Sequence, residues 1–166
     1  MSQPHSRVVS VGAIVSLGVG LACGSESQMS DDAQVAEMAA KYTAAWCSQV
    51  PEGVAAYYTE NGSLKINAGA PAVGRTAITE SARAFMTSLP DMVVAMDSLT
   101  VSGRSAVYHW TLTGTNTGPG GTGRTVRISG HEEWTLAADG RIAQSLGHFD
   151  ETEYARQLRE GAPKAP

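Results

Sequence analysis

Charge is scarce in this 166-residue chain. Twelve Lys and Arg stand against 16 Asp and Glu, a formal net charge of −4, which is the wrong sign for a nucleic-acid footprint, so neither DNA nor RNA is expected as a partner. Cysteine is nearly missing: Cys23 and Cys47 are the only two, which allows at most one disulfide, and none if Cys23 is acylated. The uncharged run over residues 8–22 falls short of the ~20 residues a membrane-spanning helix needs, and Gly12, Gly18 and Gly20 weaken it further. No Gly-x-Ser-x-Gly elbow is present. The stretch Gly118-Pro119-Gly120-Gly121-Thr122-Gly123 lacks the Lys of a phosphate-binding loop and reads as a hairpin turn. His109, His131 and His148 fall on separate strands without metal-ligand spacing, so a metal is not expected. There is no internal repeat, and collagen, coiled-coil and disordered classes are excluded.

Eighteen Gly and seven Pro imply many tight turns rather than a helical bundle. Arg7 followed by the uncharged residues Val8 to Ala22 reads as the charged and apolar regions of a secretory signal peptide. Gly20-Leu21-Ala22-Cys23-Gly24, with the polar Ser25-Glu26-Ser27-Gln28 behind it, resembles a bacterial lipoprotein signal, in which the Cys becomes the lipidated N-terminus. It departs from that pattern at Gly20, where a bulky aliphatic residue is usual. The alternative is plain export with cleavage near Ala22. The expected organisation is a signal peptide over 1–22, a tether over 23–30, one folded domain over 31–160 and a frayed tail over 161–166. The protein is then exported, and touches a membrane only through a lipid on Cys23.

From Asp31 the apolar residues Val35, Met38, Tyr42, Ala45 and Trp46 recur at helical spacing, with Asp31 and Gln34 as a capping box. Pro51 opens a short second helix that Asn61-Gly62 ends. Ser63 to Asn67 alternates as a strand, and a third helix after Thr76 buries Ile78, Ala82, Phe85 and Leu89. The period then changes from 3.6 to 2. Met92 to Val101, Ser105 to Asn116, Arg124 to Leu136 and Arg141 to Asp150 read as four antiparallel strands, followed by a helix from Glu151 to Glu160 with Gly161 just past its end. The fold class is therefore α+β: a curled, mostly antiparallel sheet wrapped by about three helices plus a C-terminal helix.

Parity identifies the buried face. Trp110, Leu112, Val126, Ile128, Trp134, Leu136, Ile142 and Leu146 all carry even numbers, while His109, Thr111, Thr113, Arg127, Ser129, His131, Glu133 and Thr135 face water or a polar dimer surface. Asn116, Glu132, Gln144, His148 and Asp150 share the buried parity although they are polar, so each must find a partner, reach water or line a cavity. Asp150 stands three residues before Glu153 at a helix start and also reads as an N-cap. A bulge would exchange Glu132 and Glu133. Glu132, His148 and Asp150 are the candidate catalytic residues. Trp46, Tyr57, Asn67, Trp110, Asn116 and Trp134 are the candidate pocket lining, with Tyr57 or Asn67 as donors to a developing oxyanion. Cys47 reads as a small core residue.

The strings Ala55-Ala56-Tyr57-Tyr58-Thr59-Glu60-Asn61-Gly62-Ser63-Leu64, Val73-Gly74-Arg75-Thr76-Ala77-Ile78, Trp110-Thr111-Leu112-Thr113-Gly114-Thr115-Asn116-Thr117-Gly118 and Asp139-Gly140-Arg141-Ile142 follow one another in an order that resembles the SnoaL-like branch of the nuclear transport factor two-like superfamily. That resemblance implies a cone around an apolar pocket, a homodimer, and no metal or cofactor. It also implies relatives that include polyketide cyclases and ketosteroid isomerase-like enzymes, which remove a proton beside a carbonyl with a pocket carboxylate. Matched through Asp139 to Ile142, the cyclase aspartate falls near Ser145 to Gly147, where this chain has no carboxylate. Glu132, Glu133 or Asp150 then stand in by proximity. Two functions follow: an exported domain that binds a small apolar molecule, or a cofactor-free isomerase or cyclase working through a pocket carboxylate.

Overall fold

In the computed structural model the backbone is described for residues 23–163 and the side chains for residues 31–163. The signal peptide expected over 1–22, the side chain of Cys23 and the tail beyond 163 lie outside the described residues. Helix α1 spans Cys23–Cys47, α2 Pro51–Ala55, strand β1 Tyr58–Ile66, β2 Ala72–Val73, helix α3 Gly74–Ser88, strands β3 Val93–Ser102, β4 Ser105–Thr115, β5 Thr125–Leu136 and β6 Ile142–Phe149, and helix α4 Glu151–Glu160. The six strands form one sheet in the order β2-β1-β6-β5-β4-β3, antiparallel throughout except for the β1–β6 pair. The α+β class and the run of helices, meander and closing helix are as the sequence predicts.

The helices cover the inner face because their apolar stripes match it. On α1, Val35, Ala39, Tyr42 and Trp46 are buried at three- and four-residue spacing. Because α1 extends back to Cys23, Asp31 lies inside the helix, and the capping box expected there does not mark its start. Pro51 opens α2 at its first turn, as expected. Asn61-Gly62 does not end that helix. It sits inside β1, at an irregularity between the Tyr58 and Ser63 pairings, where a Cβ on Gly62 would fall 3.0 Å from the Ile142 carbonyl oxygen. Helix α4 is capped by Asp150, whose Oδ1 accepts from Glu153 N at 2.9 Å. It docks through Gln157, which donates to Arg127 O at 2.9 Å and accepts from Arg127 N, so one side chain continues the backbone ladder of β5.

The decisive feature is a bulge in β6. Thr135 pairs with Gln144 and Leu136 with Ile142, which leaves Ala143 as an extra residue. Even parity holds on β4 and β5, where Ala106, Tyr108, Leu112, Val126, Ile128, Glu132, Trp134 and Leu136 are buried. Past Ala143 it inverts. Ser145 and Gly147 turn inward, while Gln144, Leu146 and His148, expected inside, point to the outer face. Glycine at 130 completes the inner surface: a Cβ there would lie 2.6 Å from Trp110 Cζ2 and nearer still to the His148 carbonyl oxygen, so the indole occupies the space a side chain would need. Gly130→Ala should therefore cost about 1–3 kcal/mol through overpacking, read from chemical denaturation. An unchanged midpoint would mean that the indole is not seated there.

Candidate functional site: a buried glutamate lining an apolar cavity

Glu132 on β5 stands opposite Tyr108 of β4 and Gly147 of β6, and it is buried, with 6% of its surface exposed. An isolated carboxylate in that position is expensive, and neutral donors hold this one. Ser145 Oγ donates to Oε2 at 2.7 Å, Trp134 Nε1 to Oε2 at 2.8 Å, and Tyr42 Oη reaches Oε2 at 3.1 Å and Oε1 at 3.3 Å. Tyr42 Oη also lies 3.0 Å from Tyr58 Oη. Since a phenol has one proton, Tyr42 donating to Glu132 makes Tyr58 the donor to Tyr42. The result is a directional relay from β1 through α1 to β5. Oε2 collects three of the four contacts, leaving Oε1 with a single long one.

Among the described residues no Lys or Arg pairs with this carboxylate. Burial pushes the Glu132 carboxyl above its ordinary value, although Trp134, Ser145 and Tyr42 pull it back. Burial, and then the charge of Glu132, push the Tyr42 and Tyr58 hydroxyls well above theirs, so both stay protonated and remain donors. Trp134 is locked in turn, stacked on Tyr108 at 4.9 Å with Tyr42 edge-on at 5.3 Å.

Glu132 lines a cavity of about 50 Å3 whose other walls include Trp46, Phe85, Tyr108, Trp110, Leu112 and Phe149. It is small beside the roughly 300–1,000 Å3 of sites for drug-sized ligands. The Tyr108 hydroxyl is spent on Thr43 Oγ1 at 2.7 Å. Trp110 Nε1 is buried and has no partner among the described residues, an exception that calls for an explanation. The cavity thus offers one acid on mostly apolar walls.

Of the residues selected from sequence, Glu132, Trp46 and Trp110 line the cavity, and Trp134 positions the carboxylate. The others do not meet there. His148 is on the outer face because of the bulge, stacked on His131 at 4.9 Å. Asp150 is exposed and spent as the α4 cap. Tyr57 packs edge-on against Tyr42 at 5.8 Å without reaching the cavity. Asn67 closes β1 with a left-handed φ of 48° and accepts from Phe149 N at 3.0 Å. Asn116 straps the turn after β4, donating to Ser88 Oγ at 2.7 Å and accepting from Thr122 N at 2.8 Å. Tyr42, Tyr58 and Ser145 were missed. The two tyrosines read as stripe and core residues, though any buried hydroxyl needs a partner. Ser145 belongs to the Ser145 to Gly147 stretch near which the resemblance puts an aspartate, and the sequence holds no signal of the bulge that aims it at Glu132.

Residues 39–145 match the family model described as SnoaL-like domain. A protein of ketosteroid isomerase-like fold from Catenulispora acidiphila, solved with trimethylamine, aligns with TM-score 0.67 and 14% identity over 76% of this chain and 98% of its own. A protein from Jannaschia named a SnoaL-like polyketide cyclase gives 0.67 and 19% over 79% and 94%. A phenazine biosynthesis-related protein from Pseudomonas aeruginosa gives 0.69 and 15% over 86% and 96%. At these identities the likeness establishes the fold. No curated protein matches the chain.

Two stability measurements follow from the carboxylate's environment. Ser145→Ala removes one donor and should cost about 1.5–3 kcal/mol. Unfolded, Glu132 loses its proton near the ordinary value of 4.5, whereas burial holds the proton to higher pH in the folded state. Its contribution is therefore full below that value and is lost as pH rises through the folded one. Glu132→Gln removes this dependence, so the variant should gain on wild type as pH rises across the window. A pH-independent difference in denaturation midpoints would contradict the assignment.

Proposed function

The chain belongs to the SnoaL-like domain family, and on that premise we propose that it binds a small, mostly apolar molecule in the cavity beside Glu132. One observation carries this reading: a buried carboxylate with no Lys or Arg counter-ion among the described residues lines a cavity that is otherwise mostly apolar. Structure alone does not call for a charge there, because an apolar residue of similar volume avoids the desolvation cost. A perturbed acid in a cleft is the ordinary signature of a site. The cavity's size favours a compact ligand, with Glu132 as its polar contact.

A second reading adds chemistry at the same place. A carboxylate whose proton affinity is raised by burial is suited to take a proton from a carbon beside a carbonyl. The less engaged Oε1 favours this. Return of the proton to another carbon is an isomerisation; attack of the carbanion on a second carbonyl of the same molecule, which opens that C=O π bond and leaves an alkoxide that takes the proton back from Glu132, is a cyclisation. Relatives named as a polyketide cyclase and as having an isomerase-like fold support this reading by analogy.

The three tryptophans, Trp46, Trp110 and Trp134, line the cavity or hold its carboxylate, so their emission reports occupancy. Titration with a series of small aliphatic ketones should change it saturably. Gly147→Leu should abolish that change, because a Cβ at 147 meets only ordinary contacts, Glu132 Cγ at 3.8 Å among them, and the rest of a leucine side chain extends into the cavity that Gly147 lines. Equal responses from variant and wild type would overturn the binding site. For chemistry, deuterium exchange at the carbon beside the carbonyl should fall about 100-fold or more in Glu132→Gln; equal rates leave binding alone.

We also place the protein outside the cytoplasm, anchored by a lipid on Cys23, from the charged and apolar leader and the Gly20 to Gly24 string. Cys23→Ala should move it from the membrane fraction to the soluble exported fraction, and retention in the membrane fraction would refute the anchor.

A further inference from the structure

The outer face of the sheet carries a cluster that the cavity does not use. Strand register pairs His109 with His131 and His131 with His148. The His131 and His148 rings stack at 4.9 Å and 26°, and His109 tilts against His131 at 5.5 Å. Glu133, two residues after His131 on the same face, sets Oε1 3.7 Å from His131 Nε2 and 4.0 Å from His148 Nε2. These imidazoles are its ion-pair partners among the described residues; no Lys or Arg joins them. The separation expected from parity, with His148 opposite His109 and His131, is overturned by the bulge at Ala143, which brings all three to one side.

We propose that His131, His148 and Glu133 form a binding site for a divalent transition-metal ion on the back of the strand that carries Glu132. One donor atom from each of the three lies within 4.8 Å of the other two. Metal bonds of about 2.0–2.1 Å in a tetrahedron need donors roughly 3.4 Å apart. Because these side chains are partly or largely exposed and make no hydrogen bond to backbone among the described residues, that closure needs only side-chain rotation. Two imidazoles and one carboxylate suit Zn2+, Co2+, Ni2+ or Cu2+ rather than the hard, oxygen-seeking Mg2+ and Ca2+. A bound ion ties β5 to β6 and keeps its remaining coordination positions open to water or to an exogenous ligand. His109, one strand further out, lies beyond the three-donor group.

Calorimetric titration of the full chain, free of any histidine tag, with ZnCl2 should give one ion per chain, and MgCl2 should give no binding. His131→Asn, His148→Asn and Glu133→Gln should each weaken Zn2+ at least about tenfold, while His109→Asn leaves the affinity within a few-fold of wild type. Unchanged thermal midpoints in the absence of metal verify that the variants fold. Lack of Zn2+ binding by wild type, or binding that survives the His131→Asn/His148→Asn double substitution, would overturn the site. So would a loss in His109→Asn equal to that in the other variants, which would mark a diffuse histidine patch. Zn2+ binding is read independently of any ligand in the cavity, so the two proposals stand or fall separately.

Discussion

A carboxylate buried without a cation has to be held by neutral donors, and meeting that requirement organises the interior of this protein. The donors to Glu132 come from three elements: Tyr42 from α1, Trp134 from β5 and Ser145 from β6, with Tyr58 of β1 behind Tyr42. Each is fixed by something else. Trp134 is stacked on Tyr108, and Tyr42 is packed edge-on against Trp46, Tyr57 and Trp134. The polar centre and the aromatic core are therefore one structure, in which helix, sheet and side-chain protons settle together. Burial still outweighs those donors and keeps the proton affinity of Glu132 high, the property that distinguishes a proton-handling group from a solvated surface acid.

The bulge at Ala143 serves both faces of the sheet. Inside, it turns Ser145 toward Glu132 and brings Gly147 opposite it. Outside, it carries His148 to His131 and Glu133. Residues 131 to 133 alternate across β5, so the acid of the cavity and the two neighbouring metal donors share one strand segment. Binding on either face bears on the same backbone, and the closing helix leans on it too through Gln157 and Arg127.

Much of this fold was legible because its patterns are regular. The change of period after Pro90 separates helices from meander, and parity on β4 and β5 selects Trp134, Val126, Ile128 and Glu132 as inward-facing. The candidate acid was found by its cost, as a charged residue in a buried register. What was not legible depends on irregularity. One extra residue in β6 inverts every side chain after it, moving His148 and Leu146 out and Ser145 in, and nothing local to Arg141-Ile142-Ala143-Gln144 announces it. Asn61-Gly62 carries a turn signal yet lies within a strand, because pairing with β6 outweighs local preference. Tyr42 and Tyr58 look like core from their spacing, and only three-dimensional contact distinguishes a phenol that packs from one that also donates a proton.

The most direct measurement is the titration of the Glu132 carboxyl itself, followed by carbon NMR of the side-chain carboxyl and assigned by the loss of its signal in Glu132→Gln. The account predicts that this one glutamate titrates above the ordinary carboxylate value of 4.5 and shifts again when a small ketone occupies the cavity. Titration at or below that value, unmoved by ligand, would mean that the group is solvated or ion-paired, and would contradict the central claim.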